Sequence, residues 1–361
     1  MAFFYNLFFM FSNLLVVDIS TVLAGPSVAT FFAELGAQVI KVENKKAYDV
    51  TRTWKLPSEN KDSIISAYFS SVNYGKKYIQ LDIRDEKDYA DFKELIKVAD
   101  ILISNFKNGD EEKLKIQDSV LRNCNPNLII GKISGFGDDN DRVAYDLILQ
   151  AESGYMSMNG TPDSGPVKMP IAMIDTLAAH QLKQGLLIAL MKRKETGKAE
   201  TVTVSLYDAA LTGLVNQASN YLMTGHVPER IGSTHPNIAP YGEMFTTKDG
   251  ALITFAIGSN HHFEKLCKFL GLDLLANHSH FNTNQQRVIN REDLAKILQE
   301  EIARFDAETI LNEMLIQHVP AGKIKDLAEV FSDENSKSAI LEEEMYNVKT
   351  KRVSSIAFKW K

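Results

Sequence analysis

The feature that most constrains the fold is a strand–helix–strand pattern near the N-terminus. Residues 14–18 (LLVVD) form a nearly continuous apolar run, which is typical of a strand buried on both faces. Gly25 and Pro26 precede a helix predicted over 27–35, and a second strand is predicted at 38–42. A strand–helix–strand unit of this kind predicts parallel strands, and its connections are very short. The first loop lacks the G-x-G-x-x-G sequence of dinucleotide sites, so we expect a Rossmann-like topology without dinucleotide binding.

The α/β pattern continues along the first 225 residues. Further strands are predicted at 78–81, 101–104 and 128–133, and helices at 87–99, 113–123 and 147–154. Polar loops at 105–109 and 134–137 each follow a strand, and open α/β sheets bind ligands at the carboxyl ends of their strands. Residues 1–225 are therefore predicted to form a large domain around a parallel sheet.

After residue 225 the pattern changes to that of a smaller α+β domain. Strands are predicted at 243–247 and 251–257, joined by a hairpin turn that contains Asp249 and Gly250. Helices are predicted at 262–270, 291–304 and 307–317. A chain of 361 residues is long enough for two cores, so we predict a second domain over 226–322.

Composition excludes several classes of function. The net charge of −6 and the lack of a basic patch interleaved with aromatics argue against nucleic-acid binding. Cys124 and Cys267 lie far apart, which suits a reducing cytoplasm and argues against a disulfide framework or a cysteine-ligated metal. Adjacent histidines such as 261–262 point in different directions, and no nearby Cys or acid cluster completes a site with them or with the histidines of 278–280, so no metal site is predicted.

The N-terminal residues 1–11 are apolar and aromatic. They lack the basic n-region and the cleavage site of a signal peptide, and Asn6 and Asn13 interrupt any stretch of membrane length. We expect an extra leader over residues 1–13, with a membrane anchor as the alternative, and no membrane partner.

Asp175 is the acid with the most distinctive setting. It follows an apolar segment and precedes a run with helical spacing that ends at Gly197, after which a strand is predicted at 201–205 and a helix from Leu206. Asp is a favoured N-cap residue. The same carboxylate could instead face a cleft as a nucleophile or proton-transfer group. These residues alone leave both interpretations open.

Seven motifs in order resemble the class III CoA-transferase family, which also contains the α-methylacyl-CoA racemases. They cover nearly the whole chain from residue 14: 16–43 (VVDISTVLAGPSVATFFAELGAQVIKVE), 73–86 (NYGKKYIQLDIRDE), 104–109 (SNFKNG), 133–137 (ISGFG), 145–154 (YDLILQAESG), 232–250 (GSTHPNIAPYGEMFTTKDG) and 319–330 (VPAGKIKDLAEV). The resemblance implies an interlocked homodimer in which each chain has both domains and residues 323–361 return to the large one. It also implies transfer of CoA between an acyl-CoA thioester and a carboxylic acid, with no further cofactor.

The resemblance also implies roles for individual residues. Asp175 matches the catalytic aspartate, which passes through a mixed anhydride and an aspartyl-CoA thioester. We expect a helix N-terminus to lower its pKa and keep it ionised. The positions that match CoA contacts are Val22, Ala24, Asn105 and Phe106, with Lys113 and Lys45 as contacts for phosphate.

Tyr145 and Asp146 bear on the choice between branches of the family. The racemase branch has a His-Asp pair where this chain has Tyr145-Asp146, and a tyrosine with a pKa of about 10 is a poor base at neutral pH. We therefore favour the transferase and expect Tyr145 and Asp146 to line the active site. A racemase or epimerase remains the alternative. A third hypothesis is a family member that binds CoA but has lost turnover. It is suggested by an altered loop at 138–141 and by the early stop at Lys361.

Overall fold

Six parallel strands organise the larger of two compact units in the computed structural model, which describes residues 10–107, 109–137 and 139–359. The strands are β1 (Leu15–Asp18), β2 (Gln38–Glu43), β3 (Lys76–Gln80), β4 (Ile101–Ser104), β5 (Ile129–Ser134) and β6 (Thr201–Ser205). Their order in the sheet is β3-β2-β1-β4-β5-β6, and each neighbouring pair is parallel. This doubly wound order confirms the predicted α/β class with a parallel sheet.

Helices cover both faces of this sheet. The helices of this part of the chain are α1 (Ala24–Glu34), α2 (Ala67–Ser71), α3 (Glu86–Val98), α4 (Asp110–Leu114), α5 (Asp118–Cys124), α6 (Asp146–Glu152), α7 (Tyr155–Met158, which begins in the first unit and ends in the second), α8 (Met173–Thr196), α9 (Leu206–Gly213) and α10 (Val215–Thr224). Successive strand residues point to opposite faces, so Val16 packs with α1 and α8 while Val17 packs with α3 and α5. Because both faces are covered, the central strands β1 and β4 are apolar runs rather than alternating ones.

The single helix predicted at 113–123 is two short helices, which corrects the sequence-based interpretation. Gly109 has a φ of +81° and the acids of 110–112 fill the first turn of α4, so the helix begins earlier than expected. Lys115 then takes a left-handed φ of +55° and ends α4 before α5 begins.

The second compact unit comprises residues 157–167 and 229–337. It contains the antiparallel sheet β7 (Tyr241–Thr246), β8 (Leu252–Ala256) and β9 (Ala321–Lys323), with helices α11 (Asn260–Phe269), α12 (Asn284–Ile289), α13 (Arg291–Ile302), α14 (Ala307–Ile316), α15 (Leu327–Ser332) and α16 (Glu334–Lys337). The predicted hairpin is confirmed. This unit is wider than the predicted segment 226–322. The Gly232 N–H donates to the Gly160 carbonyl, and Lys323 pairs with Ile253.

The hairpin β10 (Ile340–Met345) and β11 (Val348–Val353) returns to the first unit. Within the described ranges, no helix has both the length and the apolar character needed to cross a bilayer. Those residues likewise hold no group of three or more His, Cys, Asp or Glu arranged to bind a metal ion. Most of the leader predicted at 1–13 lies outside the described residues, as does Asp138 of the altered loop.

Candidate active site

The start of helix α8 is capped by a residue from a distant part of the chain. Ala172 is the N-cap residue and has no side chain that can accept a hydrogen bond. The Asp146 Oδ1 atom, at the start of α6, accepts the backbone N–H groups of Ile174 (2.7 Å) and Asp175 (3.4 Å) instead. These are two of the donors that a helix N-terminus leaves free. The N-cap interpretation of Asp175 is therefore wrong, because Asp146 performs that function.

Asp175 is consequently free to face a cleft. It is the third residue of α8, is 9% exposed and lines the cleft. Among the described residues, no side chain or backbone group donates a hydrogen bond to its carboxylate. Burial, and then the nearby negative charge of Asp146, raise the pKa of Asp175 to about 7. The expectation that the helix N-terminus would lower this pKa is wrong, because loss of hydration outweighs the helix dipole.

The cleft has a volume of about 220 Å³ and lies at the carboxyl ends of β1, β4 and β5. The sheet order reverses between β1 and β4, and the loops that diverge there leave a crevice in folds of this kind. Its lining comes from the loops after these strands, from the segment before α6 and from α8: Thr21, Val22, Leu23, Ala24, Asn105, Phe106, Lys107, Ile133, Ser134, Gly135, Arg142, Val143, Ala144, Tyr145, Asp175 and Leu206.

The loop after β1 is held in a strained conformation. Val22 has a φ of +71°, which a β-branched residue rarely adopts. Its N–H donates to Asp49 Oδ2 at 3.1 Å. The Asn105 amide bridges to the same loop, accepting from the Thr21 N–H (2.9 Å) and donating to the Thr21 carbonyl (2.8 Å). Strain of this kind persists only where neighbours over-determine the backbone, and it is frequent at ligand sites.

A buried network of charges lies beneath this loop. Lys76 Nζ is 2.8 Å from Asp18, and Lys41 Nζ lies 3.7 Å from Asp18 and 3.6 Å from Asp49. Lys41 also donates to the Ser20 carbonyl at 2.7 Å. Two lysines and two aspartates balance one another, as buried charges require. No motif in the sequence signalled this network.

The tight packing at this loop also explains Gly25. A Cβ atom at that position would lie 2.3 Å from the Ser20 Oγ atom. Only glycine lets helix α1 begin this close to the end of β1.

Six of the predicted site residues line the cleft, namely Val22, Ala24, Asn105, Phe106, Tyr145 and Asp175. Asp146 is not part of the lining, and its carboxylate accepts a backbone N–H group at the start of α8. The two predicted phosphate contacts are not in the lining: Lys113 pairs with Asp110, and Lys45 pairs with Asp88. The binding roles of all these residues stay predictions.

Lys107 and Arg142 are cleft residues that the sequence did not single out. Lys107 directly follows the predicted Asn-Phe pair and is exposed, and no ion pair to it occurs among the described residues. Arg142 pairs with Glu152 (2.5 Å) and lies over the Phe136 ring. Their closeness to the predicted loops was the only sequence signal.

Tyr68 of α2 is a further neighbour of the catalytic candidate. Burial, followed by the charges of Asp175, Asp146 and Asp49, raises the pKa of Tyr68 to about 12. The ring packs edge-on against Trp54, with centroids 5.1 Å apart. Tyr68 therefore keeps its proton at neutral pH, where its hydroxyl can donate or accept a hydrogen bond.

Comparison with known proteins gives concordant matches. Residues 11–361 match CoA-transferase family III. Succinate–glutarate CoA-transferase of Agrobacterium fabrum is 35% identical over 89% of this chain and 82% of that protein. Acetyl-CoA:oxalate CoA-transferase of Acetobacter aceti is 35% identical over 88% of this chain and 82% of that one. A CAIB/BAIF family protein of Brucella suis superposes with a TM-score of 0.83 at 35% identity, covering 96% and 91% of the two chains.

Proposed function

The chain belongs to CoA-transferase family III and transfers CoA from an acyl-CoA to a carboxylate, and we propose that Asp175 carries the intermediates of this transfer. The observation that supports this role is a buried carboxylate that lines a cleft and accepts no hydrogen bond from the described residues. A nucleophile must have unoccupied lone pairs, and capping of α8 by Asp146 leaves those of Asp175 free.

The reaction proceeds by four acyl transfers that need no metal or redox group. The Asp175 carboxylate attacks the thioester carbonyl, the C–S bond breaks, and a mixed anhydride and CoA thiolate form. The thiolate attacks the aspartyl carbonyl, which releases the donor acid and leaves an aspartyl-CoA thioester. The acceptor carboxylate attacks this thioester and expels the thiolate again. The thiolate then attacks the acceptor acyl carbon and frees Asp175.

Exclusion of water supports this assignment. Mixed anhydrides hydrolyse readily, and a carboxylate only 9% exposed leaves little room for a competing water molecule. Backbone N–H groups of the cleft loops are proposed to stabilise the oxyanion in each transfer.

We propose short dicarboxylates as the acids, because relatives at 35% identity are named for succinate, glutarate and oxalate. Val22, Ala24, Asn105 and Phe106 are proposed to contact CoA. The cations Lys107 and Arg142 lie in the cleft lining, whereas Lys113 and Lys45 remain proposed contacts for the outer phosphates.

The remaining parts of the proposal follow from family membership. We propose that the working form is an interlocked homodimer in the cytoplasm and that no cofactor is needed beyond the CoA substrate. The racemase alternative gains no support, since Tyr145 occupies the position of the expected histidine and the matched relatives are named transferases.

Incubation with succinyl-CoA and glutarate, followed by detection of glutaryl-CoA, tests the proposal. Oxalate serves as the comparison acceptor. Asp175→Ala should lower kcat by at least about a thousandfold, as expected for loss of a covalent nucleophile. Asp163→Ala, which alters an exposed turn, should retain full activity.

Chemical trapping locates the intermediate. Hydroxylamine added during turnover should convert Asp175 to a hydroxamate that mass spectrometry maps to that residue. Normal turnover by Asp175→Ala, or an adduct on another residue, would refute the assignment. CoA binding without turnover on any dicarboxylate would favour a binding protein.

A further inference from the structure

A second cavity, of about 320 Å³, lies in the first unit between helices α1 and α8 and the end of strand β11. Its lining shares no residue with the catalytic cleft. Helix α8 contributes one face at helical spacing, and the other walls are mainly small and hydroxyl-bearing. The lining residues are Ser27, Thr30, Ser71, Val72, Thr176, Ala179, His180, Lys183, Arg352, Val353, Ser354 and Ser355.

Lys183 is the unusual member of this lining. It is 7% exposed, yet among the described residues its ammonium group has no carboxylate within salt-bridge distance and no hydrogen-bond acceptor. Its one defined contact is with the Phe31 ring, whose centroid lies 5.5 Å from Nζ. Burial lowers the pKa of Lys183 to about 8, so most molecules carry the charge at neutral pH. The charge of Glu34 partly opposes this lowering, although no salt bridge joins Glu34 to Lys183. A largely buried cation without a direct ion pair is costly.

Glu34 does not act as a direct ion-pair partner of Lys183. Glu34 already accepts hydrogen bonds from Ser354 and Ser355, and it pairs with Arg352 at 2.6 Å. Each carboxylate oxygen is therefore already occupied, which leaves Lys183 without a direct ion pair. With Glu34 and Arg352 neutralising each other, the wall retains the net positive charge of Lys183.

Other donors at the same wall are also unpaired. The Nε and Nη1 atoms of Arg352 and the Oγ atom of Ser355 are buried and have no hydrogen-bond partner. These three atoms have almost no accessible surface and do not face the cavity, so Lys183 is the cation that an anion in the cavity would meet. The volume is far larger than the roughly 10–15 Å³ that a single bound water molecule needs, which leaves room for a small anion.

We propose that this cavity is a binding site for a small oxyanion, either inorganic phosphate or a free carboxylate, with Lys183 as its cation and the hydroxyl-bearing residues of the wall around it. The site goes beyond the proposed catalytic function, because it lies outside the cleft that contains Asp175.

Equilibrium dialysis of radiolabelled phosphate, and separately of radiolabelled glutarate, tests the site. The full chain is first saturated with CoA, so that phosphate-binding groups of the catalytic cleft are occupied. The wild-type protein should bind one phosphate per chain at this site. Glutarate is also the proposed acceptor at Asp175, so only the glutarate binding that Lys183→Met weakens is assigned to this site. Lys183→Met should weaken that binding by about ten- to a hundredfold, as loss of one charge-assisted contact predicts. Lys194→Met removes an exposed charge from the same helix and should leave binding unchanged.

A second variant keeps the test informative if Lys183→Met fails to fold. Ser27→Asp places a carboxylate in the first turn of α1, where a helix tolerates it, and directs a negative charge at the cavity. It should abolish binding of the external anion. The proposal is overturned if wild-type protein saturated with CoA binds neither anion, or if both variants bind as tightly as wild type. The tighter-binding anion of the two shows whether the site prefers phosphate or a free carboxylate.

Discussion

Asp175→Asn should stabilise the folded protein, and the gain should depend on pH. The pKa of Asp175 is about 7 in the folded state and 3.8 in the unfolded reference. Between these two values the folded protein keeps a proton that the unfolded chain has lost, so stability falls as pH rises from about 4 to 7. Asparagine has nearly the same shape and cannot ionise, and this loss of stability is therefore absent from the variant.

The size of the effect follows from the two pKa values. Above both of them, the raised pKa of Asp175 removes about 4 kcal/mol from the free energy of unfolding, at 1.36 kcal/mol per unit. At about pH 5 the unfolded carboxylate is ionised and the folded one is not, so the penalty is only about 1.5 kcal/mol. The stability advantage of Asp175→Asn should therefore grow by about 3 kcal/mol between pH 5 and pH 8.

Urea denaturation of both proteins at the two pH values measures this difference. Asp163→Asn, in an exposed turn, is the matched control and should show no pH-dependent gain. If the difference between Asp175→Asn and wild type were the same at both pH values, the raised pKa would be refuted. A destabilising effect at pH 8 would refute it more strongly.

Three other substitutions test the surroundings of the cleft. Asp146→Asn keeps an oxygen for the helix N–H groups but removes a charge, so the pKa of Asp175 should fall and the acidic limb of the pH profile of kcat/KM should move to lower pH. Asn105→Ala frees the loop after β1 and should raise the KM for acyl-CoA by about tenfold, with a smaller change in kcat in steady-state assays. Lys107→Met should raise that KM, and weaken its salt dependence, more than Lys113→Met, because only Lys107 lines the cleft.

The local sequence pattern was sufficient to predict the parallel sheet and the position of the cleft. The apolar run at 14–18 and the polar loop at 105–109 predicted a buried strand and a ligand loop, and the doubly wound order brings both to one crevice. Period and turn chemistry are encoded within a few residues, so they can be recovered without tertiary information.

Hairpin β10–β11 was not predicted because its stabilising contacts lie across strands. Its sequences are rich in Glu and Lys, which are depleted in strands. In the folded chain Glu342 lies opposite Lys351, and their side chains pair at 2.6 Å. Opposite charges on facing strands stabilise a sheet, but the register that aligns them is not visible in either strand alone.

The capping of α8 shows the same limit at the active site. An aspartate near a predicted helix start is read as its cap, and Asp175 fits that rule. The residue that accepts the helix N–H groups is Asp146, 28 residues earlier than Ile174. Only the packing of α6 against α8 decides between the two acids, and that decision separates the structural carboxylate from the candidate nucleophile.

The raised pKa of Asp175 also bears on which covalent species accumulates. A helix N-terminus favours a carboxylate by about 0.3–1 kcal/mol, whereas a shift of about three pKa units corresponds to about 4 kcal/mol in the opposite sense. In the mixed anhydride, thiolate attack at the aspartyl carbon expels the substrate acid, and attack at the substrate carbon expels Asp175. The carboxylate with the lower pKa is the better leaving group, so the first route is faster. We therefore expect the aspartyl-CoA thioester to persist during turnover, and hydroxylamine should trap Asp175 in this state.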